Sequence, residues 1–70
     1  MTNTEMLERS IAESGYKKSY IAKVIGIVPE TLGRKIRNES EFTASEIAAL
    51  CELLGITSLK EKECIFFATK

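Results

Sequence analysis

Histidine, aspartate and tryptophan are absent from this 70-residue chain, so every acid is a glutamate. Without histidine, neither a Ser/His nor a Cys/His nucleophile pair can be assembled. None of the four glycines falls in a phosphate-cradling loop of the P-loop or dinucleotide type. The two cysteines, Cys51 and Cys64, fall short of the roughly four ligands that a zinc site requires. No enzyme activity, no metal and no cofactor are therefore expected. A disulfide is not expected in a chain read as intracellular, and Cys51, on an apolar helical face, reads as a small buried hydrophobe. Apolar runs stop at four or five residues, too short for a membrane span. No charged segment leads into an apolar stretch at the start, so no signal peptide is expected and the cytoplasm is the default location.

What is present is ordinary for one small globular domain over residues 1–70, with 44% hydrophobic and 29% charged residues. A chain this short buries only about 60% of its unfolded surface, so its core must be efficient or shared with a partner. The formal charge is zero but unevenly spread. From Lys17 to Arg37 there are six bases and one acid, a balance of +5, and the remainder holds four bases and nine acids, a balance of −5. Such polarity predicts one face that attracts phosphates and another that repels them.

The stretch from Lys18 to Asn38 organises the rest. It reads as two short helices, the first buried through Ile21, Ala22 and Ile25, the second through Leu32 and Ile36. Gly26 permits the positive φ needed to leave the first helix at once. Pro29, the single proline, lacks the N–H that a first-turn residue leaves unpaired, and so opens the second helix. This spacing predicts a helix-turn-helix. Burial of Leu32 and Ile36 turns Glu30, Gly33, Arg34 and Arg37 outward as one stripe. In a major groove, Arg34 and Arg37 reach guanine edges or phosphates, Glu30 accepts from a cytosine amino group or only complements the helix dipole, and Val28 meets a thymine methyl. Gly33 costs about 1 kcal/mol relative to alanine, which an exposed face tolerates where another backbone or a duplex comes close. Lys17 and Lys18, beside the outward amides of the first of these helices, suit a backbone phosphate.

Around this pair, Thr2-x-x-Glu5 reads as a capping box opening a helix near Asn3 or Thr4, with Leu7 and Ile11 buried and Ser14-Gly15 as its end. Tyr16 is expected to cover the core edge. Asn38 to Phe42 is a polar loop anchored by Phe42; its Glu39 and Glu41 suit phosphates poorly, so it is expected to point away from DNA or toward a basic partner. Thr43-x-x-Glu46 is the clearest capping box, ahead of a stripe of Ile47, Leu50, Cys51 and Leu54 that Gly55 stops. Ser58-x-x-Glu61 caps a last helix whose Ile65, Phe66 and Phe67 cannot all face inward. Either one closes the core and the others form a contact surface, or all sit in a dimer interface.

Tyr20-Ile-Ala-Lys-Val-Ile-Gly-Ile27, Thr31-Leu32 with Lys35-Ile36, Phe42-Thr-Ala-Ser-Glu-Ile47, Leu50-Cys-Glu-Leu-Leu-Gly-Ile56 and the closing Glu61-Lys-Glu-Cys-Ile-Phe-Phe-Ala68 resemble the small Cro- and repressor-type (XRE-like) regulators of phages of Gram-positive bacteria. The resemblance implies an all-α, compact five-helix bundle with a helix-turn-helix, lambda-repressor-like, acting in a bacterial host cytoplasm on the lytic/lysogenic switch. It makes the helix from Pro29 the recognition helix and double-stranded operator DNA the partner, with a homodimer addressing half-sites about 34 Å apart. The candidate DNA- or partner-binding residues are Lys17, Lys18, Val28, Pro29, Glu30, Thr31, Gly33, Arg34 and Arg37. Two departures stand out: Lys18 or Ser19 replaces the Gln that usually opens the scaffold helix, and Pro29, Glu30 and Gly33 replace the usual hydrogen-bonding recognition residues. They leave open a second implication, an antirepressor (modulator of repression) that binds the phage's own CI-type repressor.

Overall fold

The computed structural model describes residues 1–68, and these form five α-helices with no strand among them: α1 (Thr4–Ser14), α2 (Lys18–Ile25), α3 (Pro29–Ile36), α4 (Ala44–Leu54) and α5 (Leu59–Phe66). Lys70, counted among the bases above, lies outside the described residues. Each helix begins and ends on local chemistry. Thr43 and Glu46 form the expected reciprocal capping box of α4, and the Ser58 side chain accepts from the Glu61 N–H to open α5. The opening of α1 differs from the sequence reading. Asn3, not Thr2, is its N-cap, accepting from the Met6 N–H at 3.1 Å. Thr2 is instead buried, its backbone drawn into a tertiary contact.

Leu7, Ile21, Leu32, Ile36, Leu50 and Ile65 are the largest fully buried side chains, one or more from every helix. Each contributes about 1.5–3 kcal/mol of apolar burial, an amount that outweighs single propensity defects such as Gly33. Ala22 is fully buried where α2 packs on α3 and α4, and Ile25 is half-buried beside it. Cys51 is buried and a free thiol; Cys64 is exposed and also free. Burial pushes the Cys51 thiol up from its ordinary range.

The end of α5 corrects part of the contact-surface expectation. Both Ile65 and Phe66 are core residues, and the Phe66 ring meets Phe42 edge-to-face at 5.8 Å. Neither is available to a dimer or partner; of that trio only Phe67 remains exposed. Tyr16 does not cover the core edge either, lying exposed with its ring 5.2 Å from that of Tyr20.

The turn between α2 and α3 is short because Gly26, at φ 87°, reverses the chain in a Schellman arrangement: the Ile27 N–H returns to the Ala22 carbonyl at 2.9 Å. α3 ends in the same way without glycine. Asn38 takes φ 66°, the Glu39 N–H returns to the Arg34 carbonyl at 2.8 Å, and the Asn38 N–H to the Lys35 carbonyl at 3.2 Å. The Asn38 side chain then clasps Thr2, its Oδ1 accepting from the Thr2 N–H at 2.9 Å and its Nδ2 donating to the Thr2 carbonyl at 2.7 Å. Next along, the Thr4 hydroxyl donates to the Ile36 carbonyl, and the Asn3 N–H to the Ile65 carbonyl. The segment before α1 thus ties the end of α3 to the end of α5.

Asn38→Ala is expected to cost about 1–3 kcal/mol, because it removes both clasp bonds and leaves at positive φ a residue that tolerates the left-handed region less well than asparagine. Asn38→Gly keeps the backbone geometry and is expected to cost less. Urea denaturation of the two variants checks this order.

Candidate nucleic-acid interface

The outer surface of the α2–α3 pair carries most of the sequence-predicted site residues. Val28, Pro29, Glu30, Arg34 and Arg37 are exposed; Thr31 and Gly33 are half-buried. Leu32 and Ile36 face the core, so Glu30, Arg34 and Arg37 are turned outward on α3 as the spacing required. At the start of α2, Lys17 is the N-cap with no capping side chain, so the first-turn amides and the Lys17 and Lys18 side chains share one end of the helix. That combination of outward amides and ammonium groups is suited to an anion.

The charge of this surface is lower than its sequence. Lys18 Nζ lies 2.9 Å from Glu8 on α1, Arg34 lies 3.9 Å from Glu30 one turn back, and Arg37 Nε donates to Glu39 at 2.7 Å. Lys35 turns away from the outer surface and pairs with Glu46 on α4, both side chains nearly buried. Three of these glutamates, Glu8, Glu39 and Glu46, come from the part of the chain counted as the acidic remainder. The six bases therefore meet four glutamates in space, a balance of +2 where the linear count gives +5. Expected segregation of basic face from acidic remainder is thus only partial. Lys17 and Lys23 enter no ion pair among the described residues.

These pairs are not equivalent. Exposed pairs contribute little to stability, since solvent and salt screen them. The Lys35–Glu46 pair is shielded, and the same Glu46 carboxylate also accepts from the Thr43 N–H at 2.9 Å, so it joins the end of α3 to the start of α4. Burial alone would raise the Glu46 carboxyl; the Lys35 hydrogen bond and the Thr43 N–H outweigh it and hold the group below its ordinary value of 4.5. On the exposed side, the hydrogen bond from Arg37, then its charge, holds Glu39 below the usual carboxylate range and raises the Arg37 guanidinium in return.

Gly33 sits under Arg37. A β-carbon built on Gly33 would lie 3.2 Å from Arg37 Nη1, closer than an ordinary contact, so the open space at the glycine is taken by the chain's own guanidinium. Val24, at 45% exposure, and Tyr20, at 48%, lie one turn apart on the outer face of α2, and Tyr16 extends this apolar strip.

Sequence reasoning missed Glu8, Asn38 and the Lys35–Glu46 pair as parts of this surface, and assigned no role to Tyr20 or Val24; Glu39, expected to point away from DNA, is folded back onto Arg37 by the Asn38 turn. One usable signal was Asn38 itself, since asparagine is second only to glycine at the left-handed position that ends a helix.

Lys35→Met is expected to cost about 1–3 kcal/mol at neutral pH, because it leaves the Glu46 carboxylate shielded without its cation. A carboxyl depressed in the folded state contributes stability that is complete above its unfolded value and lost as the pH falls through the folded value. The deficit of Lys35→Met should therefore shrink below about pH 4.5, and Glu46→Gln should flatten the acid limb of wild-type stability. Urea midpoints measured across that range check both.

No protein-family model, curated protein or solved structure matches the chain.

Proposed function

We propose that this chain is a phage transcriptional regulator of Cro-like type, with α2, the Gly26 turn and α3 acting as a helix-turn-helix and α3 entering the major groove of operator DNA. The observation that carries the reading is the pair Arg34 and Arg37. They stand three residues apart on the exposed face of a helix whose other face is fixed by Leu32 and Ile36. Guanidinium groups at this spacing serve guanine edges and phosphates, and neither is shielded from solvent. Lys17 and Lys18, at the N-terminus of α2, take a flanking phosphate. Their ammonium groups exchange weak carboxylate contacts for a polyanion at little cost.

The pairing found in the structure predicts moderate affinity. A duplex enriched from a randomised library, titrated at several salt concentrations, should show log-affinity falling by about 0.9 per neutralised phosphate for each unit of log salt. Arg34→Ala should weaken the enriched duplex by about 1–3 kcal/mol. Binding indifferent to salt and to sequence would remove this reading.

A second reading is supported by the reduced charge and by the apolar strip of Tyr16, Tyr20 and Val24. On that reading the same surface binds the phage's own CI-type repressor, and the protein modulates repression by pairing with it. Mixing the chain with the repressor encoded beside it should give one earlier-eluting species in size exclusion, abolished by Val24→Glu. Two unchanged peaks would count against it.

A further inference from the structure

Arg37 is tethered at one point and lies over the open side of a glycine. Its Nε donates to Glu39, which the Schellman turn at Asn38 folds back beside it, and its Nη1 rests over Gly33. Arginine carries five N–H donors in a planar fork, and Glu39 takes one of them. Among the described hydrogen bonds, Nη1 and Nη2 have no protein acceptor, so the end-on edge of the fork is left for an outside group with two acceptors side by side. Resting on the DNA-binding reading of α3, we infer that Glu39 is a positioning residue, with Gly33 as the seat, and that together they aim the end-on edge of Arg37 at the O6 and N7 acceptors of a guanine.

Such an arrangement carries two costs. Glu39 adds a negative charge to a surface that is to meet DNA, which by itself weakens phosphate binding. Gly33 weakens the helix that presents the surface. A phosphate contact needs neither, because a freely moving cation serves it, as Lys17 does. Orientation matters where two parallel hydrogen bonds must form at once, and there a long side chain fixed beforehand loses less freedom on binding. Both oddities of this face, an acid beside its arginine and a glycine in mid-helix, are accounted for by one fixed guanidinium.

Gly33→Ala separates the site from the fold. Alanine is the better helix former, and Gly33 does not have positive φ, so helix content and thermal midpoint are expected to hold or rise. Its β-carbon would stand 3.2 Å from Arg37 Nη1, so the guanidinium has to give way by a few tenths of an ångström.

The test measures fluorescence anisotropy of two duplexes at one salt concentration: the sequence enriched from a randomised library, and an unrelated sequence of equal length. The readout is the ratio of their dissociation constants. Arg37→Ala should lower this ratio about tenfold, and Glu39→Ala and Gly33→Ala each about threefold or more. Glu39→Gln keeps an acceptor for Nε without the charge, and should stay within about twofold of wild type. In an Arg37→Ala background, Glu39→Ala should change the ratio no further. If Glu39→Ala instead tightens both duplexes equally, the carboxylate is a simple repeller and the inference fails. Equal weakening of both would place Arg37 on a phosphate, and also overturns it. Should Arg37→Ala leave the ratio unchanged while Arg34→Ala and salt still weaken binding, the inference falls and the DNA-binding reading stands. Indifference to all of them removes both.

Discussion

The rotation of α3 about its own axis is the constraint on which the surface depends. Leu32 and Ile36, four residues apart and both buried, leave α3 one way to lie against the rest of the bundle. Every exposed side chain of the candidate interface inherits its direction from that choice. The rotation is secured at the far end by contacts that are polar, not apolar. The Thr4 hydroxyl takes the Ile36 carbonyl, Asn38 clasps the Thr2 backbone, and Lys35 meets Glu46. Helix ends leave carbonyls unpaired, and here α1 and the Asn38 turn supply the partners that α3 itself cannot. Because Asn38 forms the turn and the clasp, the same residue that stops α3 also sets where Glu39, and through it Arg37, can lie.

Electrostatics follows from this packing more than from composition. Linear counting credits the α2–α3 stretch with the full charge of six bases, because it cannot see which acids fold onto them. Once the bundle closes, Glu8 from α1, Glu39 from the following loop and Glu46 from α4 all reach this stretch. Their effects differ with exposure. Lys35 is taken out of the surface, since removing it from Glu46 would strand a shielded carboxylate. Lys18 and Arg34 keep their outward reach, since an exposed ion pair is weak, and Arg37 keeps Nη1 and Nη2 free of any protein acceptor among the described hydrogen bonds while Glu39 takes Nε. The exposed bases of this stretch are therefore Lys17, Lys18, Lys23, Arg34 and Arg37, three of them holding a glutamate close.

What could be read from the sequence was whatever depends on residues within one helical turn. The Thr43/Glu46 box, the Gly26 and Gly55 turns, the start of α3 at Pro29 and the inward stripes of α1 to α4 are set by neighbours three or four positions away. The exposed site residues on α3 followed from the same periodicity. Reading failed where the partner was distant. Thr2 looked like a cap, but Asn38, thirty-six residues on, competes for its backbone, and Asn3 caps α1 instead. Lys35 and Glu46 are eleven apart, Lys18 and Glu8 ten, and no helical repeat brings such pairs together. The short aromatic end was ambiguous for another reason. Ile65 and Phe66 are adjacent, and a single helix buries adjacent residues only when it ends at a junction between other elements, as α5 does against the first residues and Phe42.

Gly33 shows how the local and the distant combine. Periodicity placed it on the outer face of α3, where a missing side chain invited the thought of a close-lying duplex. In the folded chain that space is occupied from within, by the head of a residue one turn later. The glycine and the duplex are still connected in the proposed mechanism, but through Arg37. A backbone approached directly would favour any ligand that fits, protein helix or nucleic acid, whereas a guanidinium seated over the helix and tethered at Nε presents a fixed pair of donors. Directional donors discriminate among partners by the acceptors those partners place side by side, and a guanine edge supplies such a pair at a fixed spacing. The apolar strip of Tyr20 and Val24, lying on α2, has no such geometry to impose. The two readings share one surface and differ in what they ask of it: Val24→Glu puts a charge into the apolar strip on α2, while Arg34 and Arg37 on α3 keep their places.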